Sequence, residues 1–169
     1  MLVIQTGDIA VMRLKTTLAA VLALTLPLAL STTGAAQAKK AAAAKTVTLT
    51  GTDSMKFTPA TIAARPGERI KVILKTVSAL PKIAMAHNFV LPQKGVDIQA
   101  FVTASASSPK TDYIAPAYTS KLIAATKMAG KGETVEVEFN APKAPGSYTF
   151  LCTFPGHFQG GMKGQLVVK

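Results

Sequence analysis

From Thr46 onward, hydrophobic and polar residues follow mostly the period-two pattern of strands with one buried and one wet face. Thr46–Thr50 and Arg69–Val77 are rich in β-branched side chains, and the second run is entered through an Arg65-Pro-Gly-Glu68 turn. His87–Leu91 reads as a short apolar strand closed by Pro92. Glu133–Phe139 alternates cleanly, with Val135, Val137 and Phe139 on one face and the glutamates on the other. Ala144-Pro-Gly-Ser147 turns into Tyr148–Cys152, and Gly164–Val168 closes the chain. The stretch 96–128 is less regular and predicts a short helix or flap beside the sheets. There is no internal repeat. Short strands at this spacing predict an all-β fold, a Greek-key β-sandwich with a short helical flap.

The N-terminus departs from this pattern. Arg13 and Lys15 form a basic region, 18–30 an apolar core, and Ala36-Gln37-Ala38 a small-residue cleavage signal. The apolar core is short for a bilayer span and is interrupted by Thr25 and Pro27. Residues 1–38 are therefore expected to be a signal peptide, with 1–11 possibly upstream of the true start, because Met12 directly precedes the basic region. Residues 39–45, Lys-Lys-Ala-Ala-Ala-Ala-Lys, read as a linker, and 46–169 as one domain. Export to the periplasm or the extracellular space follows, with membrane contact only if the signal stays uncleaved.

The single cysteine, Cys152, cannot form an internal disulfide, nor does it lie where lipidation would require it. The fold must rely on its core, and about 130 residues suffice for that. The formal net charge is +11, and removal of Arg13, Lys15 and Asp8 with the signal lowers it by one. That balance favours anionic partners and fast encounter with them. The lysines are scattered rather than clustered, which argues against nucleic acid.

The chemistry concentrates in Cys152-Thr-Phe-Pro-Gly-His157-Phe-Gln-Gly-Gly-Met162. The other histidine, His87, lies in the apolar run Met-Ala-His-Asn-Phe-Val-Leu. Two histidines, one cysteine and a nearby methionine form the ligand set of a blue-copper electron-transfer site. Thiolate suits Cu(I), imidazole suits either oxidation state, and a thioether adds no fourth strong ligand. Three donors on one loop converge with a fourth only if a distant strand pins them, and His87 can be that pin. Pro155-Gly156 allows a sharp turn, and Gly160-Gly161 lets the chain bend back so that Met162 points inward. Each residue also has a plain structural reading. A lone cysteine is commonly a small buried hydrophobe, a histidine in an apolar strand a hydrogen-bonded core residue, and Met162 core like Met55, Met85 and Met128. Spacing alone leaves both readings open.

Two motifs carry a resemblance that narrows them. Leu80-Pro-Lys-Ile-Ala-Met-Ala-His-Asn-Phe-Val-Leu91, and Tyr148-Thr-Phe-Leu-Cys-Thr-Phe-Pro-Gly-His157 followed by Met162-Lys-Gly164, closely resemble azurin and related cupredoxins of the plastocyanin/azurin family. The likeness extends more weakly through Lys110-Thr-Asp-Tyr-Ile114 and Leu122-Ile-Ala-Ala-Thr-Lys127, and spans roughly 47–169. It implies a cupredoxin-like fold and one copper ion held by His87, Cys152 and His157, with Met162 axial and the Ala86 backbone carbonyl on the opposite side. It also implies that Asn88 ties the ligand strand to the Cys152–His157 loop, an outer hydrogen bond that orients ligands. Three departures stand out. The azurin disulfide is impossible here, four residues rather than three separate His157 from Met162, and Phe89 and Ala125 replace a family tryptophan and a non-ligand histidine.

The expected function is single-electron transfer through a type 1 copper site, without enzymatic activity. The alternative is a copper carrier or buffer that does not shuttle electrons. A self-contained copper enzyme would need more histidines. A Cys–His nucleophile lacks an orienting third group, and zinc sites rarely include methionine. In the family, the second loop histidine reaches partners through an apolar patch. Met85, Phe154, Pro155, Phe158 and the paired glycines are the candidates for it here. The implied partners are redox proteins such as cytochromes or copper oxidoreductases with acidic docking surfaces.

Overall fold

Arg69–Val77 (β4) shows how the pattern becomes architecture. Ile70, Val72, Leu74 and Thr76 are buried, and every residue between them is exposed or half-buried. The computed structural model describes residues 43–169, so the expected signal peptide and the first part of the linker lie outside the described residues. Lys45, assigned to the linker, already opens Lys45–Thr52 (β1). Short strands Lys56–Thr58 (β2) and Thr61–Ala64 (β3) follow, neither of which the alternation had marked. After β4 come Val90–Pro92 (β5), helix Ile98–Ser105 (α1) and Leu122–Ala125 (β6), and then Thr134–Asn140 (β7), Gly146–Leu151 (β8) and Lys163–Val168 (β9).

These strands make a two-sheet sandwich. One sheet has the order β2-β1-β4-β7 and the other β3-β9-β8-β5-β6. The chain passes repeatedly between sheets, which leaves two parallel pairings, β1 with β4 and β3 with β9, among antiparallel neighbours. This bears out the predicted all-β sandwich with a helical flap. The flap region 96–128 resolves into α1, two 3₁₀ turns (Pro109–Thr111 and Pro116–Lys121) and β6. Asp97 caps α1 by accepting the Ala100 N–H at 3.0 Å. Among the described residues no helix is long and apolar enough to cross a membrane.

The core between the sheets is built on phenylalanines. Phe89 lies 5.1 Å from Phe150 and 6.1 Å from Phe139 between ring centroids, and Phe57 meets Phe150 edge-on at 5.4 Å. Leu49, Ile70, Val72, Leu74 and Leu166 fill the space around them. A second cluster of Val90, Phe101, Val102 and Leu151 seats α1. Outside, Arg69 and Lys71 pair with Glu138 and Glu136 at 2.6 and 2.8 Å; exposed pairs of this kind contribute little.

The strand expected at His87–Leu91 is shorter than its apolar run implied. Only Val90–Pro92 belongs to the sheet; Pro92 is its last residue, as expected, with a register shift between Leu91 and Pro92. His87 makes an isolated two-way backbone bridge with Ala129, at 2.9 and 2.8 Å. The Phe89 N–H is taken by the Thr126 hydroxyl at 2.9 Å. Side-chain acceptors thus replace a continuous ladder just where the chain must present functional groups.

Truncating the central ring tests this core. Phe150→Ala is predicted to cost about 3–5 kcal/mol, typical of a fully buried aromatic, read as a lower denaturation midpoint at unchanged slope. Lys75→Ala, on the wet face of β4, should stay within about 0.5 kcal/mol of the parent.

Candidate metal centre

The loop 152–162 joins the ends of β8 and β9, and its geometry begins with the ladder beneath it. That ladder runs from Gly146↔Val168 to Leu151↔Lys163. It continues one step further, with the Cys152 N–H donating to the Met162 carbonyl at 3.1 Å. The Met162 N–H in turn donates to the His157 carbonyl at 2.8 Å, so three candidate residues share one hydrogen-bonded frame. Gly156 and Gly161 take φ of +83° and +90°, left-handed values that side chains rarely adopt. These are the two bends that the Pro-Gly and Gly-Gly pairs predicted.

The opposite wall comes from the segment before β5. Val90 pairs with Leu151, which sets His87 and Asn88 beside Cys152 and Thr153. Asn88 is fully buried and makes three bonds. Its Oδ1 accepts the Thr153 N–H at 2.9 Å, and its Nδ2 donates to Thr153 Oγ1 at 2.8 Å and to the Asp112 carbonyl at 3.0 Å. The side chain expected to tie the ligand strand to the loop therefore also ties both to the flap.

Between these walls, donor atoms of His87, Cys152 and His157 all lie within 4.8 Å of one another. The two Nδ1 atoms are 3.2 Å apart, and His157 Nδ1 is 3.5 Å from Cys152 Sγ. Donors bound to one cation at 2.0–2.3 Å stand about 3.3–3.7 Å apart; the two short separations lie at or near that range, so this trio could hold a single metal ion. The chemistry agrees, because two imidazoles and a thiol, all metal-ligating groups, converge there away from water. The Ala86 carbonyl faces the thiol at 3.9 Å. Met162 is fully buried, and its Cε lies against the same backbone spot as the His87 ring, beside Gly51. All the residues singled out from sequence, His87, Cys152, His157, Met162, Ala86 and Asn88, are thus found in one buried region.

Burial sets the protonation of the centre. It pushes the Cys152 thiol up to about 12, against the backbone N–H groups of Asn88 and Phe154, which favour the thiolate. It pulls His87 down to about 4, against the Asp53 carboxylate and the Thr52 carbonyl, which favour the protonated ring. His157 falls to about 4 through burial and the neighbouring His87. Nε2 of His87 is buried without a well-formed hydrogen bond, with the Thr52 carbonyl as the acceptor on its side.

Around the loop, His157 is 3% exposed, Phe154 and Phe158 are half-buried, and Pro155 and Gly156 are exposed. The Phe154 ring lies 4.7 Å from that of His157 and 5.3 Å from that of Tyr113. Of the methionines read as possible core, Met128 is buried, and Met55 and Met85 are half-buried. Sequence reasoning missed Ile83, an apolar side chain 89% exposed that lines a groove with Ala86, Tyr113 and Phe154. It also missed Gly51 and Thr153. A glycine inside a strand pattern is a known sign of close approach and was available as a signal for Gly51.

Comparison with known proteins gives the centre a context. The family model for copper binding proteins of the plastocyanin/azurin family matches residues 43–169. Azurin of Pseudomonas aeruginosa is 39% identical over 132 residues, 76% of this chain and 87% of the azurin. Auracyanin-B of Chloroflexus aurantiacus is 41% identical over 87 residues, 51% of this chain; the match spans only 37% of that relative's length. Among solved structures, reduced auracyanin from Roseiflexus castenholzii superposes with a TM-score of 0.65 at 32% identity, covering 76% of this chain and 99% of the auracyanin.

Metal uptake by the empty protein has a defined proton count. At neutral pH both imidazoles are uncharged and the thiol is protonated, so loading should release one proton, that of Cys152. Apparent log affinity should therefore rise one unit per pH unit above about 4 and steepen below it, where imidazolium protons must also leave. Chelator competition across pH, with pH-stat titration, measures both. Unfolded imidazoles titrate near 6.5, so the histidines should also destabilise the metal-free fold as pH falls through 6.5 toward 4.

Proposed function

The chain belongs to the plastocyanin/azurin family of copper-binding proteins, and from that membership we propose that it carries single electrons between redox proteins through a type 1 copper centre. The observation that carries the proposal is the burial, in one cluster, of the only cysteine and both histidines of the chain, with donor atoms within 4.8 Å. His87, Cys152 and His157 would hold the ion as strong donors, with the Met162 thioether as a weak one and the Ala86 carbonyl nearby, facing the thiol. When bound, copper supplies a one-electron change between Cu(II) and Cu(I).

The chain's own contribution is to keep those donors still. Asn88 locks the loop to the ligand strand and the flap, the β8–β9 ladder fixes both ends of the loop, and burial excludes water. The N–H groups of Asn88 and Phe154, aimed at the sulfur, favour its thiolate form. A copper carrier or buffer would use the same donors but needs a site from which metal can leave. Cys152, His87 and Met162 are each 0% exposed, which supports electron transfer instead. No histidine remains for a second, catalytic metal, so the reading includes no enzymatic reaction.

His157 is the proposed exit for the electron. Exposed Pro155 and Gly156 and half-buried Phe154 and Phe158 surround it, an apolar face suited to brief docking. Two lysines sit at its edge. Lys56 Nζ donates to the Gly160 carbonyl at 3.3 Å, and Lys163 Nζ lies 5.3 Å from the Phe158 ring centre. They suit redox partners, cytochromes or copper oxidoreductases, that present acidic docking surfaces. Export of the domain to the periplasm or beyond, with residues 1–38 as the signal, belongs to the same reading.

Visible absorption after addition of Cu(II) tests the centre. An intense thiolate-to-copper band, bleached by reductant and absent in Cys152→Ser, is the expected result. Faint colour identical in both proteins would sink the proposal. For the docking face, electron-transfer rates with an acidic partner should fall as salt rises, and Lys56→Gln with Lys163→Gln should flatten that dependence.

A further inference from the structure

Gly51 lies in β1, in the sheet opposite the ligand loop, and pairs in register with Phe57 of β2 and Thr76 of β4. It is buried, and its φ is not among the positive values, so its backbone conformation is open to any residue. What the position requires is the absence of a side chain. A Cβ there would stand 2.8 Å from His87 Cδ2, 3.1 Å from His87 Cγ and 3.1 Å from Met162 Cε. Carbon pairs are comfortable at about 3.5–4.0 Å, so the ring and the methyl both occupy room that only glycine leaves.

The main chains of both neighbours are already pinned. His87 is held by its two-way bridge to Ala129, and Met162 by its bonds to Cys152 and His157. Only side-chain torsions remain, and both side chains end on Gly51.

We propose that Gly51 is a positioning residue of the copper centre, whose bare backbone sets how deep the His87 ring and the Met162 thioether sit. The reach of the axial sulfur is then fixed by β1 in the opposite sheet, not by the number of residues between His157 and Met162. This inference rests on the reading of Met162 as the axial ligand. A Cβ at position 51 has no room beside the methyl and the ring, so both would have to move. The potential of such a centre is tuned by its weak axial donor, so moving the thioether would shift it.

The test is Gly51→Ala, first without metal. In protein labelled at methionine methyls and histidine nitrogens, the Met162 methyl and His87 ring resonances should shift, while methyls distant from the centre stay in place. After copper loading, the thiolate band should change shape and the potential should shift, and the shift should shrink in a Met162→Ala background. A folded variant with unmoved Met162 and His87 resonances and an unchanged potential would overturn the proposal. If Gly51→Ala does not fold, the wild type decides. Nuclear Overhauser contacts from the Gly51 α-protons to the Met162 methyl and His87 Hδ2 support the proposal, and their absence overturns it. Failure of the copper reading itself looks different, because the wild type would then show no thiolate band at all.

Discussion

Three polar, metal-ligating side chains converge in one pocket away from water, and the rest of the fold serves that convergence. His87 Nδ1 and His157 Nδ1 stand 3.2 Å apart, and the Cys152 sulfur is 3.5 Å from the second. No chain would converge there by local preference, since water would serve each group better. Everything around the pocket works against that tendency. Asn88 spends both amide N–H groups and its carbonyl oxygen on the loop and the flap, and an unpaired buried partner of such a bond costs about 1–3 kcal/mol. The ladder between β8 and β9 holds both ends of the loop, and the phenylalanine core holds the sheets that carry it.

That arrangement separates two tasks. The sandwich supplies stability through Phe57, Phe89, Phe139 and Phe150, without help from a disulfide. The loop can then be devoted to chemistry, with positive-φ glycines at its bends and a histidine near its surface. For the proposed electron carrier, a frame held by the Asn88 bonds and the β8–β9 ladder limits how far the donors rearrange. The same frame explains why the flap matters to a centre it does not reach. Asp112 accepts from Asn88 through its carbonyl and from the Met128 N–H through its carboxylate, so it links the flap, the loop and the strand bearing His87.

Much of this was legible in the sequence, and for physical reasons. β4 was recognised to its ends because strict alternation and β-branched residues leave no competing period. The donors were legible because cysteine and histidine are rare in this chain and the loop motif is compact. β2, β3 and β6 were not, because three or four residues carry too little period to separate a strand from a turn. The strand near His87 was drawn too long because an apolar run cannot show that the Phe89 N–H goes to the Thr126 hydroxyl, leaving only its carbonyl to a backbone N–H. Thr153, Asp112 and Gly51 share one limitation. Their roles exist only across the interior, between segments far apart along the chain.

The depth of Cys152 has a consequence for the protein's life before metal reaches it. A lone thiol in oxidising surroundings is usually a liability, open to sulfenic acid formation or to crosslinking with a second molecule. Both routes begin with an accessible thiolate. Here the sulfur is 0% exposed and burial pushes its thiol up to about 12, which leaves little exposed thiolate for peroxide or another disulfide to meet. Burial of the Cys152 sulfur therefore works against both routes in the metal-free protein.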